Sequence, residues 1–175
     1  PENPAFLSRP MTQPESTFAA AANLRSQFDA PWFLETFVWI DLEGHGIRPL
    51  YPLWESQRFV LQRLAYLERT HADSGAIDGL LVNVLKARQL GVSTLAQALI
   101  AQRIYTQPYI RAIAGSDVEE QATYLFGMNE RIYRQLPFFI RPARVVPYKA
   151  GRELHLANGS SIKAAWGKST RGALQ

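Results

Sequence analysis

Apolar positions along the chain repeat with two periods, and the changes between them mark the elements. Residues 1–30 are rich in Pro, Ala, Ser and Gln and hold no steady period. They read as an arm, with a short helix from Ser16 to Phe28. Phe33 to Leu42 is dense in aromatic and β-branched residues and predicts a strand, ended by Gly44 and Gly46. Pro52 opens a predicted helix to about Thr70, with Phe59, Val60, Leu64 and Leu67 on one face. His71 to Gly75 is a polar loop.

From Ala76 the pattern changes. The run Leu80 to Leu85 predicts a buried strand, interrupted at Asn83. Lys86 to Gly91 is a short loop, and Ser93 to Tyr105 predicts a helix with Leu95, Leu99 and Ile100 inward. Tyr109 to Ala114 predicts a second apolar strand. Ser116-Asp-Val-Glu119 has capping-box spacing, so a helix should start there. Val118, Ala122, Leu125, Phe126, Ile132 and Leu136 mark its inner face, and Pro137 stops it. Asn158-Gly159 between two alternating segments, Glu153 to Ala157 and Ser160 to Ala165, predicts a hairpin. Strand, helix and strand in that order imply parallel strands with a right-handed crossover, so the class is α/β.

Composition narrows the chemistry. There is no cysteine among 175 residues, which excludes disulfides, thiol catalysis and cysteine–zinc sites. His45, His71 and His155 lie too far apart for a metal-ligand spacing. No apolar run is long enough for a membrane span, and Pro1 to Pro14 carry no signal-peptide pattern. Charge is uneven. Residues 1–80 hold 6 basic and 10 acidic side chains, a net of −4, whereas residues 81–175 hold 13 and 5, a net of +8. Arginines number 15 against 4 lysines, and Arg is the better fork for phosphate oxygens. The second half could therefore meet polyanions, or carry a solvated basic face.

The loop Lys86-Ala-Arg-Gln-Leu-Gly-Val-Ser-Thr94 falls between a predicted strand and a helix start. Backbone amides and the helix dipole favour an anion there. Against the phosphate-loop pattern G-x-x-x-x-G-K-[ST], Gly91 fits the second glycine and Ser93 the magnesium-binding hydroxyl. Lys86 stands at the first glycine and Val92 at the lysine. Dense phosphate charge still needs a cation, and Lys86 and Arg88 are the candidates. A tight strand–helix turn with two solvated cations is the plainer reading. Gly167-Lys-Ser-Thr170 imitates the end of such a loop, but Ile162 stands where its first glycine would be. Arg141, Arg144 and Lys149 could touch DNA phosphate or stay solvated, and Trp166 suits the core better than a base-stacking platform.

The loop resembles the variant Walker A of large terminase subunits, the DNA-packaging ATPases of tailed bacteriophages. Pro49-Leu-Tyr-Pro-Leu-Trp-Glu-Ser-Gln57 is similar to that family's upstream adenine-binding segment, and Ala112 to Ala122 to the strand and helix after its first crossover. Thr170-Arg171-Gly172 resembles the Arg-Gly element before its Walker B strand. The resemblance spans about residues 48–175 and implies a P-loop NTPase-type parallel sheet flanked by helices, with residues 1–47 as arm and lead-in. It implies ATP and Mg²⁺ as cofactors. Gln57 would read adenine, and residues Lys86, Ala87, Arg88, Gln89, Leu90, Gly91, Val92, Ser93 and Thr94 would hold phosphate. Ser93 would take the metal, and Lys86 and Arg88 would neutralise charge. It further implies double-stranded DNA, a portal protein and a small terminase subunit as partners, a homo-oligomeric ring on the procapsid, and the host cytoplasm as location.

One part of the family pattern is missing. No apolar strand ending in Asp-Glu follows Ser93 before Gln175, and no nuclease carboxylate cluster is present. The stretch is therefore expected to be the front portion of an ATPase domain, inactive alone. The residues themselves also leave open a helicase-like DNA-dependent ATPase and a basic nucleic-acid-binding module without hydrolysis.

Overall fold

The computed structural model describes residues 12–42, 46–75, 79–86, 90–145 and 152–167. Its first helix, α1 (Gln13–Phe28), begins three residues earlier than expected. The Thr12 amide donates to the Glu15 carboxylate at 2.8 Å, which satisfies one orphan donor of the first turn.

The predicted strand from Phe33 is corrected. Ala30–Phe37 is a helix, α2, and only Trp39–Leu42 is a strand, β1. The Asp29 carboxylate accepts from the Trp32 amide at 3.0 Å, and Pro31 sits in the first turn. Phe33, Leu34 and Phe37 then recur at helical spacing, and all three are buried. Burial of one helical face outweighs the strand preference of aromatic residues. β1 pairs antiparallel with β2 (Gly46–Pro49). The next helix, α3 (Glu55–Asp73), starts three residues after Pro52, and its most buried positions are Gln57 and Leu61. Phe59, expected inward, is exposed.

The largest correction falls on Leu80 to Leu85. These residues form no strand, and Leu81 is 84% exposed. Among the described residues no other strand pairs with this stretch. A lone extended segment has no ladder to offset its ordering entropy. The side chains still alternate: Leu80 and Val82 face a hollow with Leu64 and Ala72 of α3 and Arg103 of the following helix.

That helix, α4 (Val92–Thr106), is the centre of the core. Leu95, Ala98, Ala101 and Ile104 are all but inaccessible. α1 and α2 pack on α4, which also packs against α5 (Glu119–Gln135). The small side chains Ala98 and Ala101 allow this close approach. α5 was expected to open on a Ser116–Glu119 box. Instead Val118 is its N-cap, no side chain caps it, and the Ser116 hydroxyl donates to Asp117 at 2.9 Å. The expected inner face holds at Ala122, Phe126, Ile132 and Leu136, whereas Val118 is exposed.

The sheet is mixed and three-stranded, in order β3-β5-β4. β3 (Arg111–Ser116) lies parallel to β5 (Ser161–Trp166), with Ala112 opposite Ile162 and Ala114 opposite Ala164. β4 (Glu153–His155) pairs antiparallel with β5, with Leu154 opposite Ile162. The expected parallel pair of 80–85 with 109–114 is thus replaced by β3 and β5, with α5 in the connection. The Asn158-Gly159 hairpin forms as predicted. Gly159 takes φ +81°, and a Cβ there would lie 2.6 Å from the Tyr109 ring.

The hairpin tip closes the C-terminal end of α4. The Asn158 side chain donates to the carbonyls of Ile104 (2.9 Å) and Gln107 (3.1 Å), and the Ser160 hydroxyl donates to Gln107 O (2.8 Å). Terminal carbonyls that would otherwise be orphaned are satisfied from the sheet. A second polar tie joins α4 to α5: the Tyr105 hydroxyl donates to Asn129 O at 2.9 Å. Burial pushes Tyr105 well above its ordinary pKa of 10.0, against the opposing pull of Arg144.

Two outcomes follow from these ties. Asn158→Ala removes two donated bonds and should lower the unfolding free energy by about 1–3 kcal/mol, read from urea midpoints. As for Tyr105, the folded state keeps its proton above pH 10.0 while the unfolded chain loses it. Stability from this group is therefore full below pH about 10 and falls as pH rises, by up to about 1.4 kcal/mol per pH unit. Tyr105→Phe should show a shallower alkaline decline in the same urea titration.

Candidate phosphate-binding turn

The start of α4 follows from Gly91 and Leu95. Leu95 is anchored in the core, and its amide donates to Gly91 O at 2.9 Å, closing the first helical bond. Gly91 is the N-cap, with φ 64° and ψ 13°. This left-handed conformation suits a residue without Cβ. Among the described residues no side chain caps the helix here, and its first turn holds no acidic residue. The amides of Val92, Ser93 and Thr94 are thus the orphan donors of an uncapped N-terminus.

The predicted site residues fall in three places. Leu90 and Ser93 are exposed, and Lys86 is exposed at the end of the 79–86 stretch. Ala87, Arg88 and Gln89 lie outside the described residues. Thr94 is half-buried and faces sideways into a cleft of about 60 Å³ with Trp39, Asp41, Tyr124 and Arg131.

Gln57, distant in sequence, lies against the loop. Its Oε1 accepts from the Trp54 amide at 3.0 Å, and its Nε2 donates to Gly91 O at 3.3 Å. A Cβ on Gly91 would meet Gln57 Nε2 at 2.6 Å and the Trp54 ring at 3.3 Å. Trp54 itself is 53% exposed. The segment 49–57 and the loop are therefore neighbours in space.

Sequence reading missed Trp54, Asp41 and Arg131. The Arg131 guanidinium sits 3.4 Å from Asp41, a cation lining the same cleft as Thr94. No local pattern marks it, because β1 and α5 meet only in the fold. Trp54 had a signal, its place three residues before Gln57.

Other cations singled out earlier are engaged elsewhere. Arg144 stacks on Tyr133 at 4.5 Å and lies 3.8 Å from Glu130, and Arg141 approaches the same ring at 5.7 Å. Trp166 is half-buried under Arg152, at 5.3 Å, and Arg152 also pairs with Glu119 at 2.9 Å. Lys149 and residues 168–175, which hold the imitation loop after Gly167 and the Arg-Gly element, lie outside the described residues. A larger apolar hollow of about 670 Å³ runs between α3 and α4, lined by Phe28, Pro31, Leu61, Leu64 and Leu99. Among the described residues no helix is long and apolar enough to cross a membrane.

Compared with known proteins, the chain matches no family model and no curated protein significantly.

Gly91→Ala tests the turn itself. The left-handed conformation costs an alanine about 1 kcal/mol, and its methyl must displace the Gln57 amide. The expected loss is about 1–2 kcal/mol in unfolding free energy by urea titration. An unchanged midpoint would mean that the turn can adopt another conformation at no cost.

Proposed function

We propose that the chain is the nucleotide-binding part of an ATP-driven DNA-packaging motor of the large-terminase type. The observation that carries this reading is the start of α4. A left-handed Gly91 opens an uncapped helix, with Ser93 exposed one residue into it and the 49–57 segment seated alongside. An anion at this turn would accept from the Val92 and Ser93 amides and gain from the helix dipole. Ser93 Oγ would supply one ligand to Mg²⁺, with Thr94 beside it. Lys86 and Arg88 would offset the charge of the β- and γ-phosphates, since Val92 brings none. Gln57 belongs to the segment that the resemblance assigns to adenine. In the complete motor, hydrolysis would drive double-stranded DNA through a portal, with a small terminase subunit as a further partner and the large subunits forming a ring.

A chain that binds DNA without a nucleotide is the second reading. It is less well supported, because Arg141 and Arg144 both lie over Tyr133. The first reading also gives the open 80–85 stretch a place, as a strand that forms when a neighbouring strand is supplied.

Lys86 separates catalysis from folding, being exposed and outside any helix or strand. In the full-length protein Lys86→Ala should reduce ATP turnover by at least about 100-fold while leaving the circular dichroism spectrum and unfolding midpoint unchanged. Ser93→Ala should weaken the dependence of turnover on magnesium. Near-normal turnover in Lys86→Ala would move the phosphate cation elsewhere, with Arg88 next in line.

A further inference from the structure

We propose that Gln57 is a positioning residue for the phosphate turn, acting through the Gly91 peptide. Gln57 is only 2% exposed. Its amide joins two helix starts, and its contact with Gly91 spans 34 residues of sequence. Oε1 holds the Trp54 amide, the N-cap donor of α3, at 3.0 Å, and Nε2 holds Gly91 O at 3.3 Å. Both ends of the amide are thus used inside the chain, and little of it is open to a base.

What the amide controls is the direction of a peptide plane. Gly91 O and the Val92 N–H belong to one planar unit. The carbonyl oxygen is held from two sides, by Leu95 N at 2.9 Å and by Gln57 Nε2. Fixing the oxygen fixes the opposite edge of the unit, which carries the Val92 N–H. That donor is the first amide offered to an anion at the start of α4. Gln57 also fills the space that the missing Cβ of Gly91 leaves, with 2.6 Å between Nε2 and the position the Cβ would take. The two residues are therefore matched. Glycine admits the amide, and the amide holds the glycine carbonyl in the left-handed turn.

The ligand side of this inference rests on the phosphate reading above; the geometric side does not, and the test separates them. In the ligand-free chain, Gln57→Ala should speed hydrogen exchange at Leu95 in the first turn of α4 and at Arg58 in that of α3. Exchange at Ile104, in the core of α4, should be unchanged. Unaltered exchange at Leu95 would overturn the proposal, whatever the ligand results. Binding is then measured by calorimetry with Mg²⁺-pyrophosphate and Mg²⁺-ADP. Gln57→Ala should weaken both by the same factor, about fivefold, as expected for one lost hydrogen bond. Gln57→Glu, which keeps an acceptor for Trp54 but sets a carboxylate against Gly91 O, should weaken both at least as much. A loss confined to ADP would overturn the proposal and make Gln57 a reader of the base. Wild-type protein that binds neither ligand would sink the phosphate reading, and the exchange result alone would then decide the role of Gln57.

Discussion

The fold depends on where α4 is held. Its middle is locked by Leu95, Ala98, Ala101 and Ile104, none of which meets water appreciably. Both ends are tied by side chains from elsewhere: Gln57 holds the N-terminal carbonyl of Gly91, and Asn158 and Ser160 hold the C-terminal carbonyls. A helix of 15 residues is marginal alone, so these contacts define it. Because the middle is buried, the polar backbone at each end must find partners. At the C-terminal end the hairpin supplies them. At the N-terminal end the Gly91 carbonyl is met, and among the described residues no side chain caps the amides that follow. That asymmetry is what makes the N-terminus a candidate site.

The same tie explains why the sheet and the helical lead-in belong to one core. α1 and α2 bury Ala22, Phe33 and Leu34 and pack against α4. Across the α1–α4 contact, the Gln102 amide donates to Ser26 O at 2.8 Å and Gln27 O at 3.1 Å, closing the end of α1. The segment expected as an arm is thus packed against α4 by two helices. α5 covers the face of the sheet that carries Ala112, Ala114, Leu154, Ile162 and Ala164. The alternation of small and branched residues there leaves room for Phe126, which is fully buried.

Legibility in the sequence followed how local each cause is. The hairpin was readable because Asn158-Gly159 carries its own turn geometry. The start of α4 was readable because Gly91 precedes a helical run directly. Two segments were misread for opposite reasons. Phe33 to Phe37 has strand-type composition, yet the Asp29 cap and one buried face make it a helix. Leu80 to Leu85 has strand composition as well, but a strand is a property of a pair. Nothing in the segment states whether its partner is present. Gln57 lay between these cases: its segment suggested a role, while its contact with Gly91 crosses 34 residues and has no local signature.

The two open features, the uncapped turn and the unpaired stretch, are connected by the chain itself. Residues 80–85 lead to Lys86, five positions before Gly91. Leu80 and Val82 already sit against α3 and Arg103, which fixes the stretch from one face. Leu81 and Leu85, pointing the other way, are exposed. A strand at this position would therefore gain hydrogen bonds without needing to reorient its inward side chains. Gln57 and Leu95 anchor the far side of the loop independently of that pairing. The glycine end of the turn is thus organised by the core, through the Gln57 amide and the first hydrogen bond of α4, and needs no partner for 80–85.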